Sequence, residues 1–225
     1  MTISSPKKPS VILFDWDKTL ADNWGLIIEA VNHTFSYFGM PTWSSEEAEE
    51  KISLSARELF PTLFFDNTEK ALEVFYDFFE TNHLEYVKPT VGSQELLDFC
   101  FVNNFVMGVV SNKKSNLLKK EITKLGYERY FDVIVGAGDA TEDKPSAEPI
   151  KLALRKISKR QDITFNCDDI LYIGDSKTDQ ETAKNFGCVC YIVGEDNKEG
   201  KALYEETVCF RSLSKIITHM KKNML

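Results

Sequence analysis

The chain has 225 residues, 43% hydrophobic and 28% charged, with a formal net charge of −8 at pH 7. That length accommodates one sizeable α/β domain and a smaller one, and the acidic balance excludes nucleic-acid binding by bulk electrostatics. Five cysteines (Cys100, Cys167, Cys188, Cys190 and Cys209) form no C-x-x-C pair and no zinc-ligand spacing, so they read as reduced, buried thiols of a cytosolic protein.

Residues 1–10 are polar, with Pro6 and Pro9, and read as a disordered lead-in. The apolar run behind Lys7-Lys8 is too short for a signal peptide. No segment approaches the roughly 20 apolar residues of a membrane span. A soluble, cytoplasmic protein with neither membrane nor nucleic-acid partner is expected. Val11-Ile12-Leu13-Phe14 then reads as a strand buried on both faces, and it delivers Asp15 and, two positions on, Asp17.

From Asp22 to about Tyr86 the pattern turns helical. Leu26-Ile27, Ala30-Val31, Phe35 and Phe38 keep helical spacing, and Gly39-Met40-Pro41 stops it. Ser44-Ser45-Glu46-Glu47 looks like a second helix start, Ser53-Leu54-Ser55 a loop or cap, and residues 68–86 a long helix. Strand and helix alternate after Lys88-Pro89. Strands are expected at 105–110, 131–135, 170–173, 188–193 and 208–210, and helices at 93–101, 117–125, 148–157, 180–186 and 213–222. This alternation predicts an α/β fold with a Rossmann-like parallel sheet flanked by helices. The expected division is a core of residues 1–21 and 88–225 with a small all-helical insert of residues 22–87.

In open α/β sheets ligands bind at the carboxyl ends of the strands, and four strands here end in chemistry-bearing residues. Asp15 and Asp17 point the same way from extended backbone, so they can share a cation or divide nucleophile and acid/base roles. Alone the pair means little, because Asp-x-Asp occurs about once by chance at this composition. Ser111 and Asn112 follow the strand at 105–110 and either hold phosphoryl oxygens or cap the next helix. Lys144 precedes Pro145, which favours extended geometry and can fix an ammonium over a phosphate. A lone lysine is otherwise solvated surface. Gly174-Asp175 ends another apolar strand with Asp179 four residues on, and helix capping explains one of these carboxylates but not both.

Taken in order, these residues resemble the haloacid dehalogenase superfamily over nearly the whole chain. Phe14-Asp15-Trp16-Asp17-Lys18-Thr19-Leu20 is similar to the first family motif and Val110-Ser111-Asn112 to the second. Lys144-Pro145 is similar to the third, and Ile173-Gly174-Asp175-Ser176 with Asp179 to the fourth. Lys18 departs from the pattern, where glycine is common. The resemblance implies a phosphoglycolate phosphatase-like, Mg²⁺-dependent hydrolase of small phosphorylated metabolites. Asp15 would be the nucleophile and Asp17 the general acid/base. Asp15, Asp175 and the Asp17 backbone carbonyl would hold the metal, with Asp179 in support. Ser111, Asn112 and Lys144 would bind the phosphoryl group. An acid at Asp17 favours phosphate esters over carbon–halogen bonds, whose leaving groups need no proton.

The helical insert resembles the family's cap domain, and its loop around Ser53 and Arg57 is expected to face the leaving group. Arg57 would bind an anionic leaving group or lie on the surface. Trp16, Trp24 and Trp43 read as packing residues, with reach to the pocket mouth the lesser alternative for Trp24 or Trp16, and His33, His83 and His219 as non-catalytic. The alternatives are a sugar-phosphate mutase of the β-phosphoglucomutase type and a non-catalytic binding protein on the same fold.

Overall fold

Four consecutive residues with no exposed surface, Val11–Phe14, form the first strand, β1. The computed structural model describes residues 8–52, 54–161, 165–194 and 202–224. After β1 come β2 (Ala21–Asp22) and the helices α1 (Trp24–Tyr37), α2 (Ser45–Lys51), α3 (Ala56–Phe64) and α4 (Thr68–Tyr86). The strand β3 (Lys88–Pro89) and α5 (Ser93–Val102) lead to β4 (Val106–Lys114), α6 (Ser115–Leu125) and β5 (Val133–Ala137). Then follow α7 (Glu148–Gln161), β6 (Ile170–Gly174), α8 (Lys177–Phe186), β7 (Val189–Val193), β8 (Thr207–Phe210) and α9 (Leu213–Asn223).

Six strands form one sheet in the order β5-β4-β1-β6-β7-β8, and every pairing is parallel. The chain moves outward from β1 to β4 and β5, then crosses to β6 on the other side. The strand order therefore reverses beside β1, and the crevice outside the carboxyl ends of β1 and β6 is where such sheets bind ligands. The two-residue side-chain period divides β1 between two layers. Ile12 and Phe14 pack with Leu96, Cys100, Leu118 and Ile216 on one face. Val11 and Leu13 pack with Ile150, Ala153, Ile157 and Ala183 on the other.

A third apolar cluster belongs mainly to the helices before β3. Leu26, Val31 and Phe35 of α1 meet Phe60 and Phe64 of α3 and Phe75 and Phe79 of α4. Leu117 of α6 joins them from the sheet side. The chain enters and leaves this bundle side by side, because β2 and β3 pair antiparallel with Ala21 opposite Pro89 and Asp22 opposite Lys88. Helix α2 starts as its sequence suggests: Ser44 Oγ accepts from the Glu47 amide while the Glu47 carboxylate accepts from the Ser44 amide.

Three expectations need correction. Ser111 and Asn112 do not cap a helix, because β4 continues through them to Lys114, where it pairs again with Ala137 of β5. The strand expected at 131–135 lies at Val133–Ala137, displaced by a short helical turn at Glu128–Tyr130. The five thiols are free, but only Cys100, Cys188 and Cys190 are buried, whereas Cys167 and Cys209 are exposed. No helix among the described residues is long and apolar enough to cross a membrane.

Candidate active site

Strand β1 pairs with β4 and β6 on either side, so the residues that follow these three strands converge. Lys144, buried on the loop after β5, lies at their centre. Its ammonium donates to Asp15 Oδ1 and Asp179 Oδ1, both at 2.7 Å, and to the Tyr172 hydroxyl at 3.1 Å. The Tyr172 hydroxyl in turn donates to the Val110 carbonyl at 2.8 Å. Asn112 holds the Lys144 backbone from both sides: its Nδ2 donates to the Lys144 carbonyl (3.0 Å), and its Oδ1 accepts from the Lys144 amide (2.9 Å). The Asn112 side chain is therefore a bracket for the lysine, while the residue itself lines the cavity. Ser111 is buried and lines the cavity beside it.

Asp175 follows β6 directly, and Thr19 Oγ1 donates to its Oδ1 at 3.0 Å. Asp179 caps and clamps at once. Its Oδ2 accepts from the Asp175 amide (3.1 Å), the Ser176 amide (3.0 Å) and the Ser176 hydroxyl (2.7 Å), while Ser176, not either aspartate, is the N-cap of α8. This close approach requires glycine at position 174, since a Cβ there would lie 2.4 Å from Asp179 Cγ.

Carboxylate oxygens of Asp15, Asp175 and Asp179 lie within 4.8 Å of one another. Two of these buried carboxylates, Asp15 and Asp179, share the one buried ammonium of Lys144, whereas among the described residues Asp175 has only Lys18, at 3.9 Å. Burial pushes the Asp15 carboxyl up to about 7 against the pull of Lys144, and burial with the repulsion of Asp179 and Asp15 holds Asp175 well above its ordinary range. Asp179 goes the other way: burial alone would raise it, but Lys144 and Ser176 outweigh that and lower it. A surplus of negative charge on hard oxygen donors fits a small divalent cation such as Mg²⁺. Both Asp179 oxygens are already committed, which leaves Asp15 and Asp175 as the better metal donors.

Asp17 belongs to a second network that the motifs do not reveal. Lys113 Nζ donates to Asp17 Oδ1 at 2.7 Å and to both Glu121 oxygens at 3.0 and 2.8 Å. Glu121 also receives Trp16 Nε1 (2.7 Å) and Asn23 Nδ2 (3.0 Å), and pairs with His83 Nδ1 at 2.9 Å. Burial raises Asp17 despite Lys113. Burial would also raise Glu121, but Lys113 and its other donors hold it below its ordinary value. Trp16 is thus a buried donor and not a residue of the pocket mouth, whereas Trp24 lines the cavity. Two signals in the sequence point here. Lys113 follows Ser111-Asn112 directly, and Glu121 falls in the apolar stripe Leu117-Leu118-Ile122 of its helix, where an acid demands donors.

The insert loop lines the cavity through Ile52, Leu54, Ser55 and Ala56. Ser53 lies outside the described residues. Arg57 does not line the cavity; its Nη2 pairs with Asp143 Oδ1 at 2.9 Å, and Ser55 Oγ donates to Asp143 Oδ2 at 2.8 Å. The carboxylate next to Lys144 captures the guanidinium, so the half-exposed Arg57 bridges the insert and the loop after β5. Lys18 has a backbone φ of 62°, a conformation in which glycine is unstrained. Its ammonium lies over the Trp24 ring, 3.5 Å from Glu49 Oε1 and 3.9 Å from Asp175 Oδ2. The cavity between sheet and helices measures about 510 Å³, with Asp15, Asp17, Ser111, Lys144 and Asp175 all on its wall.

Comparison with known proteins agrees with this arrangement. A family model of haloacid dehalogenase-like hydrolases matches residues 12–193. The chain is 31% identical over 178 residues to a phosphoglycolate phosphatase of Aquifex aeolicus, covering 79% of this chain and 81% of that one. It is 26% identical over 185 residues to the pyrophosphatase PpaX of Halalkalibacterium halodurans, with 82% and 83% covered. A haloacid dehalogenase-like family hydrolase from Streptococcus pneumoniae superposes with a TM-score of 0.79 at 18% identity, covering 95% of this chain and 99% of that one.

Proposed function

The chain belongs to the haloacid dehalogenase-like hydrolase family and is a phosphatase of that family; from that premise we propose that it hydrolyses a small-metabolite phosphomonoester through an aspartyl-phosphate on Asp15. The observation that carries this reading is Lys144, whose ammonium sits 2.7 Å from Asp15 at the cavity wall. A carboxylate so held is aimed, and the same ammonium offsets the repulsion between it and an incoming phosphate.

In the first step an Asp15 oxygen bonds to phosphorus as the ester P–O bond breaks, and Asp17 gives its proton to the departing alkoxide. In the second, water attacks phosphorus and gives a proton to Asp17, and the P–O bond to Asp15 breaks to release inorganic phosphate. The raised Asp17 carboxyl suits a group that begins the cycle protonated. Lys113 orients it. Ser111 and Lys144 hold the phosphoryl oxygens. Mg²⁺, held by Asp15, Asp175 and the Asp17 backbone carbonyl, would supply further positive charge against the phosphate.

Residues 22–87 act in this reading as a cap on a core of residues 1–21 and 88–225. The separate apolar cluster of α1, α3 and α4 and the paired β2–β3 crossing support that division. A cap that closes excludes bulk water while the phosphoryl group is transferred to Asp15, and its opening lets the alcohol leave and the water of the second step enter. The five free thiols suit a reducing, cytoplasmic setting.

The test is a panel of phosphorylated metabolites assayed for phosphate release with and without Mg²⁺. Metal-dependent release is expected, falling more than about 10⁴-fold in a folded Asp15→Asn protein. Isomerised product without free phosphate would identify a mutase instead, and normal turnover by Asp15→Asn would remove Asp15 from the chemistry.

A further inference from the structure

The two walls of the cavity differ in kind. The sheet wall carries the carboxylates and Lys144. The opposite wall is contributed by the helices and is apolar and aromatic, with Trp24, Leu54, Phe60, Phe75, Tyr76 and Phe79 among its lining residues. Phe60, Phe75 and Phe79 are buried in the insert's own cluster. Tyr76 shares their surroundings, and burial pushes its phenol up to about 12. A leaving group attached to a phosphate at Asp15 would rest against this wall.

Charge decides what that group can be. Among the described residues no arginine lines the cavity, and Arg57 is taken by Asp143. Each lysine on the lining has a carboxylate within 4.0 Å. Lys18 faces Glu49, Lys113 faces Asp17 and Glu121, Lys114 faces Glu80, Lys144 faces Asp15 and Asp179, and Lys177 faces Glu181. The charges that the insert adds to the lining are the acids Glu49 and Glu50. Among the described residues, a second anion on the substrate would meet desolvation and like charge without an unpaired cation to receive it. An uncharged apolar group would bury its surface against the aromatic wall. The volume of about 510 Å³ lies within the range of pockets that enclose drug-sized molecules and exceeds the need of a two-carbon acid.

We infer that the substrates of this chain are phosphomonoesters of uncharged, apolar alcohols, preferred over esters whose leaving group carries a carboxylate or a second phosphate. The inference rests on the phosphatase reading above and narrows it. It separates this chain from the phosphoglycolate phosphatase and pyrophosphatase to which it is similar, because phosphoglycolate and pyrophosphate each carry a second anionic group besides the phosphoryl group attacked.

Phenylethyl phosphate and phosphoglycolate test the inference directly. Both are primary alkyl esters, so leaving-group basicity does not favour the aromatic one strongly. Wild-type protein with Mg²⁺ is expected to show kcat/KM at least about tenfold higher for phenylethyl phosphate. Leu54→Arg, which sets a guanidinium on the half-buried apolar wall, is expected to shift that ratio at least tenfold toward phosphoglycolate. Circular dichroism and a melting curve verify that the variant is folded. Equal rates or a preference for phosphoglycolate in the wild type would overturn the inference and leave the phosphatase reading standing. Hydrolysis of neither ester, nor of any other phosphomonoester, would overturn both.

Discussion

Lys113 and Lys144 are both buried ammonium groups held between two carboxylates, and in each trio one carboxyl is raised, Asp17 or Asp15, and the other lowered, Glu121 or Asp179. Glu121, beside Lys113, gathers donors from Trp16, Asn23 and His83 as well, and its carboxyl is lowered. Asp15, beside Lys144, shares its lysine with Asp179 in a cluster of three acids and is raised to about 7. The same residue pair can therefore be structural or reactive, and the count of donors decides which. Glu121 is satisfied and fixes its surroundings. Asp15 and Asp175 are left short of positive charge, which suits them to receive a cation and a phosphate.

Asp17, the link between the networks, offers the largest test of this contrast. Asp17→Asn removes the proton donor but keeps an acceptor for Lys113, so kcat/KM should fall about 10²–10⁴-fold. The fall should be steeper for alkyl than for aryl phosphates, whose leaving groups need less protonation. Equal losses on both would mean that Asp17 acts through structure and not through proton transfer.

Next comes Glu121→Gln, which should cost roughly 3–5 kcal/mol of stability at pH 7 in urea titrations, because it breaks a buried ion pair from one side. The folded Glu121 carboxyl lies below its ordinary value of 4.5. Its contribution is therefore fully present above that pH and is lost as pH falls through the folded value. The gap between wild type and variant should narrow in acid, and a gap independent of pH would place the loss in packing. The smallest effect is that of Lys18→Gly. It should relieve a left-handed backbone and raise stability by roughly 0.5–1 kcal/mol, since the exposed pair with Glu49 contributes little. A destabilised variant would mean that the Lys18 ion pairs outweigh the strain.

What the sequence discloses follows from the range of each interaction. Asp15, Ser111 and Asp175 were legible because each ends an apolar run, a pattern written within a few residues. The long α4 was legible for the same reason, and its bounds match those expected. Glu121 meets Trp16 and Asn23 across about a hundred residues, and no local pattern encodes that pairing. The Asn112 side chain turns to the Lys144 peptide 32 residues on, a second pairing that no local pattern encodes. Arg57 read either as a ligand for an anion or as a surface residue, because the identity of its partner, Asp143, depends on how insert and sheet meet.

The central claim is that the Asp15 carboxylate carries the phosphoryl group. Acid quench of a working enzyme, reduction with borohydride and peptide mass mapping test it directly, because borohydride converts an aspartyl-phosphate to homoserine. The account predicts homoserine at position 15, dependent on substrate and absent from Asp15→Asn. Turnover with no modified aspartate, or with modification at Asp17, Asp175 or Asp179 instead, would contradict it.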